Sequence, residues 1–581
     1  MPTDLRREPD AVPLVQGGEA SQGPSQQSNP KQTGILRLTV DTPPTSSPKT
    51  VTTRPPPRWK TPEFLFYGVC FVVVVPIMVW KPVQISKESN PNYPIYSGRL
   101  SDGWLFGRKI DNSDAQYRSF RNNLPLLALI ASALLSANFL YQRVFRPSRD
   151  GTYLFRIPFI IFSSLIFIFG LHGYNIFKIL FIICINYGIA KSLRASKLLP
   201  LATWVFNMAV LFAIERNSGY RYASLSPSLA DLDSFQGAYP RWYIPFNFSM
   251  LRLVSFSMDY HWACRRVGPS PTESHLEMNH RQRTTTWHDL EIYNFKNYIA
   301  YLLYPPLFIA GPIMTFNDFM WQHLKPSGGP SRKMVVTYLV RFVFCVLTME
   351  FVLHSIYVVA IKDTSAWKGD TPFELSMIGF WNLAIVWLKL LIPWRFFRLW
   401  ALADGIDPPE NMIRCMVNNY STLGFWRAWH RSYNLWIVRY IYIPLGGTNN
   451  LLVSTVLIFS FVALWHDLTF RLLAWGWLVS LFIVPEVTAR YFLPPGKYGN
   501  RPWYRHVCAI GGVFNIMMMM IANLVGFVVG MDGIQFFLQQ LFGTADGLRF
   551  LFLACVVLFI DNQVLFEYRE EEMRNGIYRK C

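Results

Sequence analysis

Long runs without charge constrain this chain more than any other feature. Residues 66–80, FYGVCFVVVVPIMVW, hold no charged side chain, and 153–171, 175–190, 334–361, 451–465 and 548–560 hold few or none. A hydrocarbon core of ~30 Å is crossed by ~20 apolar residues in helical form. By that measure the chain carries roughly a dozen candidate crossings, some of them short. Backbone groups in lipid must be paired within the protein, which leaves helices or a closed barrel. The alternating pattern of a barrel strand is absent. The sequence therefore predicts an all-α, polytopic membrane protein with roughly 10–12 transmembrane helices.

Composition agrees with this reading. Of 581 residues 51% are hydrophobic and 16% charged, whereas a soluble domain carries about 25% charged. The formal net charge is +19, from 55 basic and 36 acidic residues. In a membrane protein that excess reads as loop charge beside anionic lipid, with a polyphosphate co-substrate as the sharper use. The stacking modules of a nucleic-acid binder are not recognisable, so no nucleic-acid partner is expected. The eight cysteines are scattered, with no CxxC pair. Neither a metal site nor a permanently bound cofactor is expected.

Residues 1–58 are rich in Pro, Ser, Gln and Thr and read as a disordered tail. Residues 59–581 read as one transmembrane domain. Its first helix opens at Thr61-Pro62-Glu63, where Thr caps, Pro suits the first turn and Glu meets the positive end of the dipole. The polar stretch 81–123 is rich enough in aromatics to pack on the membrane face. Arg252 and Asp259, two turns apart, share one helix face and read foremost as a structural charged face. Residues 301–319 carry Pro305, Pro306 and Pro312, which break a helix and place the segment beside an internal cavity. In 376–406 Lys389, Arg395 and Arg398 mix with Trp, Phe and Leu, which suits helices that lie in the interface.

The most informative stretch is 425–467, FWRAWHRSYNLWIVRYIYIPLGGTNNLLVSTVLIFSFVALWHD. Pro444 and the Gly446–Asn450 turn divide it into two apolar arms, a helical hairpin. His430 precedes the turn by 16 residues and His466 follows it by 16. If both arms are straight helices, the two imidazoles lie at similar depth, ~24 Å from the turn. An ionisable group at the end of an apolar run is costly and points to function, and neutral imidazole is the usual general base near neutral pH. Read singly, His466 is equally well a packing histidine, and His430 a surface one.

FWRAWH, VRYIYIPLGG and the helix ending in WHD resemble the membrane-bound O-acyltransferase (MBOAT) family. GWLFGRKIDNSDAQYRSFR, YPPLFIAGPIMTFNDF, ENMIRC and EEEMRNGIYRKC are similar to its fungal glycerol-uptake-protein branch. The resemblance implies a helical fold around an internal tunnel, with interfacial and re-entrant helices. It implies His466 as catalytic base, and it gives His430 the position where the family holds His, Asn or Asp. It further implies an endoplasmic-reticulum enzyme, present also at the plasma membrane, that takes an acyl chain from acyl-CoA. The acceptor would be a lysophospholipid or lyso-glycosylphosphatidylinositol (GPI) anchor. Asn434, on the helical face of His430, would assist it. Trp426, Trp429 and Tyr433 would line the site. Arg427, Arg431 and Arg439 would meet either CoA phosphates or lipid headgroups.

Other readings stay open. Glu350 and His354, four residues apart in an apolar helix, form a structural pair or a proton relay. With Asp467 they would carry protons in a polyol transporter, the alternative function. A protein acceptor, or a pseudoenzyme, is a third reading. Cys415 reads as a core cysteine before a ligand, and the triplets at Asn247 and Asn419 as unused glycosylation sites.

Overall fold

The first helix begins where its sequence places it: the Thr61 hydroxyl accepts from the Phe64 N–H at 3.4 Å, with Pro62 as first helical residue and Glu63 in the first turn. The computed structural model describes residues 56–145, 152–269, 278–325, 329–447, 451–466, 469–577 and 579. Nearly all of the polar tail, turn residues 448–450 and Asp467 lie outside the described residues.

Among the described residues the fold is helical, with one isolated bridge between Ser101 and Ile110. Its principal helices are α1 (Pro62–Ile85), α2 (Ala115–Val144), α3 (Ile157–His172), α4 (Ile176–Leu193), α5 (Leu198–Arg216), α6 (Tyr243–Cys264), α7 (Phe295–Leu303) and α8 (Phe316–Leu324). They continue with α9 (Arg332–Ser355), α10 (Pro372–Ala403), α11 (Thr422–Ala428), α12 (Arg431–Ile437), α13 (Leu451–His466), α14 (Phe470–Phe492), α15 (Tyr504–Asn523) and α16 (Ala545–Arg574). Nine stretches among the described residues are long and apolar enough to cross a membrane. One of them, Leu154–Leu193, contains both α3 and α4. The chain is thus a multi-pass membrane protein. Gly173 divides α3 from α4 at φ +57°, and a Cβ there would fall 2.2 Å from the Phe235 carbonyl oxygen, so only glycine fits.

Helix α6 sits inside this bundle, with both of its charges buried. Arg252 donates to the Tyr301 carbonyl at 3.3 Å and to Ser249 Oγ at 3.1 Å. Asp259 pairs with Arg439 at 2.8 Å. The two charges therefore serve packing, each with its own partners.

Helix α10 differs from expectation. It is no interfacial helix but a 32-residue central one that meets the criteria for crossing the membrane. Its basic residues are satisfied internally: Lys389 by Asp114 at 2.7 Å, and Arg398 by Asp407 at 2.8 Å and Glu410 at 3.5 Å. Alternation of basic and apolar residues signals an interface only when the cations reach headgroups, and here the protein's own carboxylates and carbonyls reach Lys389 and Arg398 first.

The proline segment breaks as predicted. Helix α7 ends at Leu303, Pro305–Phe308 form one short turn, and the chain then runs without helix or strand until α8. Breaking a helix frees backbone groups, and the protein satisfies them. The Ile313 and Phe316 N–H groups donate to Ser432 Oγ and Ser255 Oγ, and the Met314 carbonyl accepts from Tyr301. Such backbone survives at membrane depth only when buried in this way.

Candidate active site

The first arm of the 425–467 hairpin is not one straight helix. Helix α11 stops at Ala428, Trp429 is extended, and His430 adopts a left-handed conformation (φ +44°, ψ +49°) as the N-cap of α12. The loop before α11 captures this break, since Asn411 accepts from the Arg431 N–H at 2.9 Å and from the Ser432 hydroxyl. A π-turn, Val438–Tyr442, follows α12. Apolar periodicity carries no signature of a single left-handed residue, which is why the arm reads as continuous.

The break turns His430 inward. Its ring stacks on Trp394 (centroids 4.3 Å apart, 19° between planes) and lies 5.1 Å from Tyr433 and 6.5 Å from Trp465. The Trp465 ring in turn lies 4.8 Å from His466, so it neighbours both imidazoles. Both histidines line one cavity of about 1350 Å³. That cavity runs from Pro245–Phe248 at the start of α6 to the short helix His280–Thr285 and the turn at Gly446. Its wall is mostly apolar, with Leu126, Leu127, Ile309, Ala310 and Phe397 among the contributors. The proline segment therefore borders the cavity, as predicted.

The remaining predicted residues divide. Trp426, Trp429, Tyr433 and Asn434 all line the cavity. Buried and without a hydrogen-bond partner are His430 Nε2, the Tyr433 hydroxyl and the Trp426 indole N–H. Unpaired buried polar groups are costly, so three on one wall mark where a ligand's polar atoms belong. Arg427 and Arg431 also line the cavity, and Arg427 is exposed with no ion pair among the described residues. Arg439 needs correction. Although it reaches the wall, its guanidinium is held by buried Asp259 and lies over the Trp262 ring at 4.6 Å. In this structure the cation's partner is that internal counter-charge.

Trp394 was missed by sequence reasoning, because it lies in the segment read as interfacial; Pro393-Trp394 within a long apolar run was the available signal. Glu350 and His354 are absent from the wall. Glu350 is bound by Arg121 at 2.5 Å and by the Trp104 indole at 2.8 Å, while the Trp104 N–H donates to His354 Nε2 at 3.3 Å. They pin the aromatic loop before α2 onto α9. Cys415 is buried, Asn419 is buried, and Asn247 faces the cavity. No group of three His, Cys, Asp or Glu among the described residues is arranged to hold a metal.

A helical membrane protein that sets two imidazoles on the wall of one large, mostly apolar cavity has the parts of an intramembrane enzyme. The model of the membrane-bound O-acyltransferase family matches residues 228–531. Membrane-bound O-acyltransferase GUP1 of Saccharomyces cerevisiae is 48% identical over 540 residues, covering 91% of this chain and 95% of that protein. The GUP1 protein of Candida tropicalis is 48% identical over 537 residues, covering 91% and 90%. A more distant relative, protein-cysteine N-palmitoyltransferase HHAT of Mus musculus, is 28% identical over 203 residues, 34% of this chain and 40% of its own. The chain belongs to the membrane-bound O-acyltransferase family, in its GUP branch, and is an acyltransferase.

Proposed function

We propose that the protein moves a long or very long acyl chain from acyl-CoA to a lipid hydroxyl, the acceptor being a lyso-GPI anchor in the endoplasmic reticulum membrane. One observation carries this reading: two imidazoles and three unpartnered buried polar atoms, one of them on His430, share the wall of one mostly apolar cavity of about 1350 Å³.

The chemistry follows from the groups present. A lipid hydroxyl is a weak nucleophile until a base accepts its proton. His466, which has no hydrogen-bond partner among the described residues and reaches the cavity, is that base. The alkoxide oxygen bonds to the thioester carbon, and the carbonyl oxygen becomes an oxyanion. His430 Nε2, as an N–H, donates to that oxyanion in a site where low dielectric strengthens the bond. Collapse breaks the C–S bond, and the CoA sulfur leaves with the proton from His466. Ester and free thiol balance the hydroxyl and thioester consumed. The polyol-transport alternative would need Glu350 and His354 as mobile proton carriers, and both are engaged away from the cavity.

The test uses purified protein in lipid, labelled acyl-CoA and a lysophospholipid-type acceptor. His466→Ala should stay folded and lose about 10²–10⁴-fold in rate, the range for removing such a base. Glu350→Gln should keep its turnover per folded molecule. Full activity in His466→Ala would end the catalytic assignment, and glycerol entry into vesicles without acyl transfer would end the enzyme reading.

A further inference from the structure

Among the described residues no hydrogen bond orients the His430 ring, whose Nε2 is buried without a partner. Its direction rests on the stack against Trp394 and on the left-handed backbone that turns it to the cavity. Most side chains avoid that conformation, so contacts around the turn must hold it.

Helix α12 begins directly after His430, which leaves the N–H groups of Arg431 and Ser432 without an acceptor inside the helix. An N-cap side chain ordinarily supplies one. His430 occupies the N-cap position and makes no capping hydrogen bond. Asn411 supplies the acceptors instead, from the loop between α10 and α11. Its backbone carbonyl accepts from the Arg431 N–H at 2.9 Å. Its side-chain oxygen accepts from the Ser432 N–H at 3.3 Å and from the Ser432 hydroxyl. Both residues are fully buried, and the Asn411 amide nitrogen has no partner, so the position uses the acceptor oxygen.

This substitute cap is itself anchored on two sides. The Asn411 N–H donates to Glu410 Oε1 at 3.1 Å, while Glu410 Oε2 accepts from the Tyr338 hydroxyl of α9 at 2.7 Å and pairs with Arg398 at 3.5 Å. Arg398 lies four residues after Trp394 on α10, one turn further along the same face. The ring and the turn that carries it are thus both referred to one stretch of α10. On the other side Ser432 Oγ accepts from the Ile313 N–H at 2.9 Å, in the proline segment whose Ile309 and Ala310 line the cavity.

We infer that Asn411 and Ser432 are positioning residues for His430. Asn411 provides the cap that His430 withholds, which leaves the imidazole free to face the cavity. The consequence for turnover rests on the acyl-transfer reading above.

The experiment uses the full-length protein in lipid nanodiscs, with kcat expressed per folded molecule. Asn411→Leu keeps the volume and removes the acceptor. It should lower kcat about ten- to a hundredfold, as expected for a catalytic group displaced by up to an ångström, with KM for acyl-CoA within about twofold. Asn411→Asp, which keeps an acceptor oxygen, should recover part of the loss. In His430→Gly, which retains the turn and lacks the ring, adding Asn411→Leu should change kcat by less than about twofold. The same factor in both backgrounds would mean that Asn411 does not act through His430, and would overturn the inference. Nuclear magnetic resonance of protein labelled at histidine Cε1 reads the placement without turnover. The His430 signal, identified by its loss in His430→Gly, is shifted upfield by the Trp394 ring. It should move downfield in Asn411→Leu while the other histidine signals hold; an unmoved signal in the folded variant would refute positioning. If Asn411→Leu does not fold, Ser432→Ala cuts the same bond from the other side and is read in the same way. Full turnover in His430→Gly would end the oxyanion role assigned to His430, and the resonance would still decide whether Asn411 places the ring.

Discussion

Removing the carboxylate of Asp259 tests whether Arg439 belongs to the framework or to the substrate. Asp259 is fully buried and the Arg439 side chain is 14% exposed. One carboxylate oxygen accepts from Arg439 at 2.8 Å and Tyr440 at 2.9 Å, and the other from the Asn317 N–H at 3.3 Å. Asp259→Asn strands a guanidinium with no counter-charge, a loss of about 3–5 kcal/mol for breaking a buried pair from one side. With an unfolding entropy of roughly 2 cal/mol/K per residue over a chain this size, the melting midpoint should drop by about 3–4 °C. Arg439→Gln should cost less, because a stranded carboxyl can take up a proton. Asp259→Asn with Arg439→Gln restores neutrality and should recover more than half of the larger loss. Melting in nanodiscs measures the stability cycle, and KM for the donor is read alongside. If Arg439 held a phosphate, KM would rise in Arg439→Gln and stay raised in the double variant. Strictly additive melting shifts, or a raised KM in the double variant, would refute the structural role.

Two further outcomes follow from local geometry. At Gly476 on α14 a Cβ would fall 2.8 Å from the Phe459 carbonyl oxygen on α13, so Gly476→Ala must push apart the pair of helices that carries His466. A few tenths of an ångström at the base should lower kcat about tenfold; full turnover in a folded Gly476→Ala would argue against tight positioning of the base. In the loop before α10, burial and then the charge of Glu374 raise the Asp370 carboxyl from 3.8 to about 6. The folded protein thus holds this proton more tightly than the unfolded chain, and stability falls as pH rises from about 4 to about 6. Asp370→Asn should melt about a degree higher than wild type at pH 7.5 and equally at pH 4. An equal difference at both pH values would show that the carboxyl titrates normally.

Much of the architecture was readable because membrane helices announce themselves by length and apolarity. The cap at Thr61 and the break at the prolines rest on local chemistry that few residues can supply, and they stand where expected. Helix α10 did not read correctly, because its cations find partners off the helix: Lys389 on Asp114, far away in sequence, and Arg398 on Glu410 in the loop that follows. The same non-locality hid Trp394 under His430 and took Arg439 from the substrate side. His430 and His466 came together on one wall even though the straight arm that motivated their pairing is broken.

The left-handed backbone at His430 has a consequence for which residues the position admits. Most L-residues there are disfavoured by about 1–2 kcal/mol through contact between Cβ and the following carbonyl. Asparagine, aspartate and histidine visit this region several-fold more readily than other side chains, and glycine freely. Those three polar types are the ones that resemblance to the family assigns to this place. The chain geometry thus filters candidates before chemistry does, and it passes side chains that can also form a hydrogen bond. Alanine is consequently a poor probe here, since it removes the ring and strains the turn together. His430→Gly keeps the turn and removes the ring, whereas His430→Asn keeps the turn and returns a hydrogen-bonding group. The contrast between those two isolates what the imidazole itself contributes.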